Sequence, residues 1–432
     1  MNNRSLAQQR STKITAFINR KSDLHKLFRS ILAQLEHTQC WAIVGQRDIG
    51  KTCFVQQLAN PTTSLALGYS NDQHFFIYFD CQLHSVALGS IETFFQKLCG
   101  YLQQTLPAEL YRSIVSYEQH VSSPGSWLDE WNRLIQGCQN QGIYVIWIFD
   151  HFESAVRQKA LLQEGAFGIL RGHAQRPHFA YITCTNTSLH ILFEEAFSDY
   201  TISPTRRAEA SDFFNTTLEH PLELFGNEND IDQIIAAQAE TLQVSFSAAE
   251  IASIKRFGGR FPFYIQRACE RFSSARHTEQ SSIEVIERDC LSFAIPRWER
   301  YWKKLQPVQQ QTLLTVASGK PITDTKQLNL LAYRALVYPD PRQYKPFSEM
   351  FGEYILQQQL ISLRNQALDN AIETASADDF SNAAIISAKK RRLQALRMRE
   401  AQSGRDTPPE IMIEIEDLYN ELAKLEKGSE TI

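Results

Sequence analysis

Apolar residues first recur at helical spacing: between Ile14 and Glu36, the side chains of Leu24, Leu27, Phe28, Ile31 and Leu35 share one face. The pattern then changes. Trp41-Ala42-Ile43-Val44 is a short continuous apolar run that stops at Gly45, and similar runs follow at Phe75–Phe79, Tyr144–Phe149 and His178–Cys184, with a weaker one near Tyr200–Ile202. Amphipathic stretches separate them: Ile91–Leu106, Trp127–Gly137, Ala160–Arg171 and Leu189–Phe197. Short buried strands alternating with helices predict an α/β fold, a mainly parallel sheet covered on both faces.

Beyond about Thr205 the strand signals stop. Residues 206–290 read as helices broken at His220-Pro221 and Gly258-Gly259. Residues 291–357 read as helices followed by two short extended pieces around Pro339-Asp340-Pro341, a pattern that suits a winged-helix module. The stretch 366–383, rich in Ala, Asp, Ser and Asn, reads as linker. In the last helix, Ile411, Ile415, Leu418, Leu422 and Leu425 keep a 4-3-4-3 spacing, the seam of a coiled coil or helical hairpin.

Composition narrows the class. With 432 residues, 43% of them apolar, the chain can bury one large core or two to three smaller ones. Lys plus Arg number 44 against 48 Asp plus Glu, a net charge of −4, which argues against a protein coating nucleic acid or anionic lipid over its whole surface. The eight cysteines form no CxxC pair, so neither a zinc site nor a disulfide framework is signalled. Met1–Arg10 is polar and no apolar run is long enough to span a bilayer. These features predict a reduced, cytoplasmic protein with no membrane partner.

The candidate chemistry is concentrated after the first strand. Gly45-Gln46-Arg47-Asp48-Ile49-Gly50-Lys51-Thr52 fits G-x-x-x-x-G-K-[ST]. Its glycines let the backbone wrap a phosphate with successive N–H groups turned inward, and the following helix adds the positive end of its dipole. Lys51 is the charge for the β- and γ-phosphates and Thr52 a ligand for Mg²⁺, with Cys53 closing the nucleotide-binding stretch. Such a site needs a second strand that delivers a carboxylate to the metal. Tyr144–Asp150, an apolar run ending in Asp, is the candidate, which makes Asp150 the metal partner.

Gly45–Thr52 together with Phe149-Asp150-His151-Phe152-Glu153 resembles the AAA-related branch of P-loop ATPases, and more narrowly STAND-class signalling ATPases and the origin-recognition-like ATPases beside them. Phe17-Ile18-Asn19-Arg20-Lys21-Ser22-Asp23-Leu24 is similar to the box that precedes the P-loop and helps hold adenine. Gly258-Gly259-Arg260-Phe261-Pro262-Phe263 resembles the lid stretch whose proline packs near the base. The resemblance implies ATP and Mg²⁺ as cofactors, with Arg20 and Pro262 near the base. It also places a sensor among Thr183, Thr185 and Asn186, and offers Arg206, Arg207 and Arg260 as γ-phosphate-sensing arginines. One departure stands out: the family commonly has a water-polarising glutamate where this chain has His151, and Glu153 matches its second acid. His151 and Glu153 are therefore the catalytic candidates, and nucleotide binding is expected ahead of fast turnover.

The implied organisation is a P-loop ATPase core at 14–204, a helical lid at 205–290, a winged-helix domain at 291–357, a linker at 358–385 and a C-terminal helical hairpin at 386–428. Lys389, Lys390, Arg391, Arg392, Arg397, Arg399 and Arg405 precede a helix carrying Glu410, Glu414, Glu416, Asp417, Glu421 and Glu426. A basic helix followed by an acidic one favours folding back as a hairpin over binding nucleic acid. Expected partners are ATP and, through the hairpin, a second copy or an effector protein. The functional expectation is a STAND-type, ATP-dependent switch in bacterial signalling or defence. Its rivals are a DNA-associated ATPase of the origin-recognition or transposition-regulator kind and a nucleotide-binding scaffold without turnover. In the first rival the winged helix reads DNA, although its recognition segment Gln327–Ala335 carries only Arg334.

Overall fold

The computed structural model describes residues 20–32, 39–69, 72–118, 126–276, 282–322, 324–341, 343–375, 389–397, 400 and 409–429. The chain divides into two units between Ile355 and Leu356. Phe17–Asn19 of the adenine-side box, residues 376–385 of the linker, and Arg399 and Arg405 lie outside the described residues.

The first unit opens with helix α1 (Lys21–Leu32), whose Leu24, Leu27, Phe28 and Ile31 are buried. Strand β1 (Cys40–Val44) leads through the Gly45–Gly50 loop into α2 (Lys51–Leu58) and then α3 (Pro61–Ala66). Strand β2 (His74–Asp80) precedes α4 (Ile91–Thr105), α5 (Ala108–Glu118) and α6 (Trp127–Asn140). Strand β3 (Tyr144–Asp150) is followed by α7 (Glu153–Val156), α8 (Lys159–Glu164) and α9 (Ala166–Ala174). The stretch read as one helix from Ala160 is split at Gly165, whose φ of 85° ends α8. Strand β4 (Phe179–Thr185), α10 (Leu189–Asp199), α11 (Pro204–Asn215) and β5 (Thr217–Pro221) complete the sheet.

The sheet is parallel throughout, in the order β2-β3-β4-β1-β5. Every residue of β1, β3 and β4 is buried, as strands covered on both faces require. This is the P-loop α/β arrangement expected from the strand pattern, with one correction. Tyr200–Ile202 is not a strand; the fifth strand is Thr217–Pro221, so the core does not end at 204. Among the described residues that strand pairs only with β1, and it keeps Leu218 and Glu219 exposed, so it lacks the continuous apolar run that marks the central strands.

Helices follow: α12 (Glu228–Leu242), α13 (Ala248–Gly258), α14 (Pro262–Ala275) and α15 (Ile283–Lys303). Helix α15 runs unbroken through Pro296, so no boundary falls at 290–291. Then come α16 (Pro307–Ala317), α17 (Thr325–Tyr333) and an antiparallel hairpin of β6 (Val337–Asp340) and β7 (Gln343–Pro346). Trp298 on α15 is fully buried among Tyr264, Phe347, Phe351 and Tyr354, so it is core. Helix α18 (Glu349–Ala375) continues into the segment read as linker, as its alanines and long polar side chains permit.

In the second unit a helix over 389–397 (α19) packs on α20 (Pro409–Ser429). Leu393 and Leu396 meet Ile411, Ile415 and Leu418, while Lys389 pairs with Glu421 and Arg392 with Glu414. The basic and acidic helices thus form the hairpin.

Burial also sets a pH dependence. His173 lies against Trp131 and Phe179, with Nε2 3.0 Å from Asn132 Oδ1, and burial pulls its pKa down to about 4. The unfolded chain, with an ordinary imidazole, takes up this proton at a higher pH than the folded one, so stability falls on acidification from about pH 6.5 to 4. The expected loss is up to about 3 kcal/mol, and urea titrations should find it reduced in His173→Gln.

Candidate functional site

The Gly45–Gly50 loop lies at the carboxyl end of β1, between β4 and β5. The Gly45 N–H donates to Thr185 O on β4 (3.2 Å), and a Cβ at Gly45 would meet Ile49 Cγ2 at 3.1 Å and Leu222 O at 3.2 Å. Asp48 (φ 69°) and Gly50 (φ 100°) adopt left-handed conformations, which turn the chain sharply into α2. Ile49 anchors the turn in the core.

Lys51 is folded back onto this loop. Its Nζ donates to Gly45 O (2.8 Å), Gln46 O (3.1 Å) and Asn186 Oδ1 (2.9 Å). Burial pulls the Lys51 pKa down, opposed by Glu153, Asp150 and Asp48 nearby. Thr52 is partly buried beside it and Cys53 is exposed in the same helical turn. Asn186 also donates its backbone N–H to Glu153 Oε1. Lys51, Asn186 and Glu153 therefore form one chain of polar contacts. Of the other sensor candidates, Thr185 ends β4 and donates to Thr187 O (2.7 Å), whereas Thr183 is buried deeper in the strand, paired with Phe149.

Asp150, at the end of β3, is buried and separated from β1 by β4. It accepts the Tyr78 hydroxyl (2.8 Å) and the His151 N–H (2.9 Å). Burial, then the adjacent Asp150, pushes the Tyr78 hydroxyl pKa up. His151 takes a left-handed turn (φ 50°), which puts Nδ1 3.3 Å from Asp80 and 3.6 Å from Asp150. The Asp80 carboxylate holds the His151 pKa above its ordinary value against the effect of burial. Asp80, Asp150 and His151 bring ligand atoms within 4.8 Å of one another.

Neither Asp80 nor Tyr78 stands out in the sequence. Asp80 ends an apolar run as Asp150 does, but only the strand register Asp80↔Asp150 sets the two carboxylates side by side.

The flanking residues are placed as follows. Arg20 donates to Glu223 O (2.6 Å), lies 3.8 Å from Asp23 and stands over the Phe225 ring, which ties the start of α1 to the segment after β5. Pro262 opens α14 two residues before Tyr264, whose hydroxyl donates to Tyr301 (3.3 Å). Burial pushes the Tyr301 hydroxyl pKa up, and Gln46 and Asp48 of the loop are among its electrostatic neighbours. The arginine candidates are engaged elsewhere. Arg206 pairs with Glu209, Arg207 donates to Phe197 O, and Arg260 donates to Phe225 O and Gly226 O beneath the Tyr338 ring. No helix among the described residues is long and apolar enough to cross a membrane.

No protein-family model matches the chain, and no curated protein does. Solved structures do. The ORC2 protein of Aeropyrum pernix in its ADP form is similar at 14% identity and TM-score 0.45, over 78% of this chain and 93% of that one. A Walker-type ATPase of Pyrococcus abyssi is similar at 13% identity and TM-score 0.44, over 80% and 97%. The RuvB Holliday junction branch migration motor of Thermotoga maritima is similar at 12% identity and TM-score 0.36, over 80% and 97%. At these levels, the residues of the chain itself must carry any assignment of function.

Proposed function

We propose that the chain binds Mg-ATP in the Gly45–Thr52 loop and works as an ATP-dependent conformational switch of the STAND kind in bacterial signalling or defence. The observation that carries this reading is the loop itself. Its left-handed turns at Asp48 and Gly50 feed α2, its lysine ammonium rests on loop carbonyls, and a buried Asp150 waits one strand beyond β4. A Cβ at Gly50 would meet no atom within 4 Å, but its φ of 100° would strain any side chain there, so the turn calls for glycine.

These residues fit a magnesium nucleotide. Lys51 exchanges its two carbonyls for phosphate oxygens, and the first amides of α2 supply N–H donors. Thr52 and Asp150 would hold Mg²⁺, which neutralises phosphate charge when bound. Arg20 and Pro262 flank the base in this reading, and Asn186, already on Lys51, reads the γ-phosphate.

His151, drawn toward Asp80, is a poor substitute for a water-polarising glutamate, which favours slow hydrolysis. His151→Glu is expected to raise the steady-state ATPase rate about tenfold or more. An unchanged or lower rate in a phosphate-release assay removes this explanation of slow turnover.

We assign α12–α14 to the lid and α16, α17 and the β6–β7 hairpin to a winged helix that acts as a clamp. Arg260 N–H donates to Phe347 O (2.8 Å), and the Tyr333 hydroxyl of α17 to Glu219 of β5 (3.3 Å). Arg334, the basic residue of the recognition segment, donates to Gln309 (3.2 Å), and burial lowers its pKa. This supports the clamp over the DNA reading. Calorimetry with Mg-ATP tests the proposal; duplex-DNA binding at about micromolar affinity in physiological salt would favour the rival.

A further inference from the structure

At the carboxyl ends of β2 and β3, two carboxylates and an imidazole converge in an arrangement that nucleotide binding does not require. The parallel register sets Asp80 beside Asp150, and His151 brings Nδ1 to 3.3 Å from Asp80 Oδ1 and 3.6 Å from Asp150 Oδ2. The ligand atoms of all three lie within 4.8 Å of one another. Atoms bound to one zinc-sized ion at about 2.0–2.1 Å stand about 3.3 Å apart in a tetrahedron, so the two nitrogen–oxygen spacings are close to those of a coordination shell. Nδ1 is enclosed by protein and makes no hydrogen bond, although it faces two carboxylates. Among the described residues no lysine or arginine forms an ion pair with Asp80 or Asp150.

The carboxylates are also fixed from outside the set. Asp80 Oδ1 accepts the backbone N–H groups of Gln82 (2.9 Å) and Leu83 (3.0 Å), and Asp150 Oδ2 accepts the Tyr78 hydroxyl (2.8 Å). Outer partners of this kind hold ligating side chains in place. The Asp150 side chain is 2% exposed and closes one side, whereas those of Asp80 (23%) and His151 (40%) leave an entrance and room for water as a further ligand.

We propose that Asp80, Asp150 and His151 form a binding site for a divalent first-row transition ion of the zinc or manganese class. One nitrogen and two carboxylates suit such an ion, while magnesium prefers oxygen ligands alone, so the imidazole selects against it. The ion would neutralise two carboxylates that otherwise share a single imidazole. The site has Asp150 in common with the magnesium reading but needs neither nucleotide nor Thr52.

The test uses Mn²⁺ alone, added to the nucleotide-free full-length chain and followed by electron paramagnetic resonance, which counts free ion and detects a nitrogen ligand by its hyperfine coupling. Mn²⁺ favours oxygen and nitrogen over thiolate, so the cysteines do not compete for it. The wild type is expected to bind one ion per chain at roughly 10 μM, to show the nitrogen coupling, and to keep the ion against an about tenfold excess of Mg²⁺. His151→Gln is expected to abolish the coupling and, like Asp80→Asn, to weaken binding at least about tenfold with circular dichroism unchanged. Thr52→Ala is expected to bind Mn²⁺ as the wild type does, which separates this result from the fate of the nucleotide site. A wild type with no bound ion at about 100 μM Mn²⁺ overturns the proposal and leaves only an imidazole–carboxylate ion pair. An ion bound without nitrogen coupling, displaced by that excess of Mg²⁺, or undisturbed by Asp80→Asn overturns it too, in favour of a magnesium site at Asp150 alone.

Discussion

Lys51→Ala is expected to weaken Mg-ATP binding about a hundredfold or more while leaving the fold intact. The ammonium supplies three donors, now spent on Gly45 O, Gln46 O and Asn186 Oδ1, contacts that Arg47, the other cation of the loop, does not share. Charge-assisted contacts to phosphate are individually strong, and several are lost together. The fold should tolerate the change because burial already disfavours the ammonium. Isothermal calorimetry reads the affinity and a thermal melt the stability. Binding of the variant within a few-fold of wild type would show that the loop is not the phosphate site.

Gly259→Ala is expected to cost on the order of 3 kcal/mol and to loosen the region between lid and β-hairpin. Gly259 has φ 54° and ψ −121°, a conformation that penalises any side chain. A Cβ there would lie 1.9 Å from Phe347 O and 2.6 Å from Ser348 Cα, both backbone, so no side chain can swing aside to relieve the clash. Phe347 also accepts the Arg260 N–H and stacks on Tyr264 at 5.4 Å, so displacing it disturbs both elements. Urea unfolding measures the loss, and Trp298, packed on Phe347, reports the local change by fluorescence. A variant as stable as wild type would mean that the close approach of Gly259 and Phe347 does not hold in solution.

How far the molecule can be read from its sequence depends on where each residue's constraint originates. The central strands announce themselves because burial on both faces demands unbroken apolar runs, as in Tyr144–Phe149. The edge strand Thr217–Pro221 does not, since only part of it is buried and its pairing with β1 comes from the topology. The Gly45–Thr52 motif is legible because it fixes residue types at local spacing, and Gly50 takes a left-handed conformation open to glycine, whereas nothing in the spacing marks Asp48 as left-handed. Asp80 is invisible by the same logic: its place beside Asp150 is a property of strand register, spanning seventy residues of chain. The arginines near 206 and 260 show the converse. The family resemblance implies phosphate sensing, but Glu209 claims Arg206 three residues along the same helix, and Phe197 O, Phe225 O and Gly226 O claim Arg207 and Arg260 through tertiary contacts that no local pattern encodes. The hairpin was legible because opposite charges and a heptad seam are both local signals.

The most direct test of the central claim is a crystal structure of the full chain with magnesium and a non-hydrolysable ATP analogue. The account predicts phosphate oxygens against the amides at the start of α2, with Lys51 Nζ withdrawn from Gly45 O and Gln46 O and turned onto them. A structure in which Lys51 still holds those two carbonyls, with the analogue bound elsewhere or absent at saturating concentration, would contradict it.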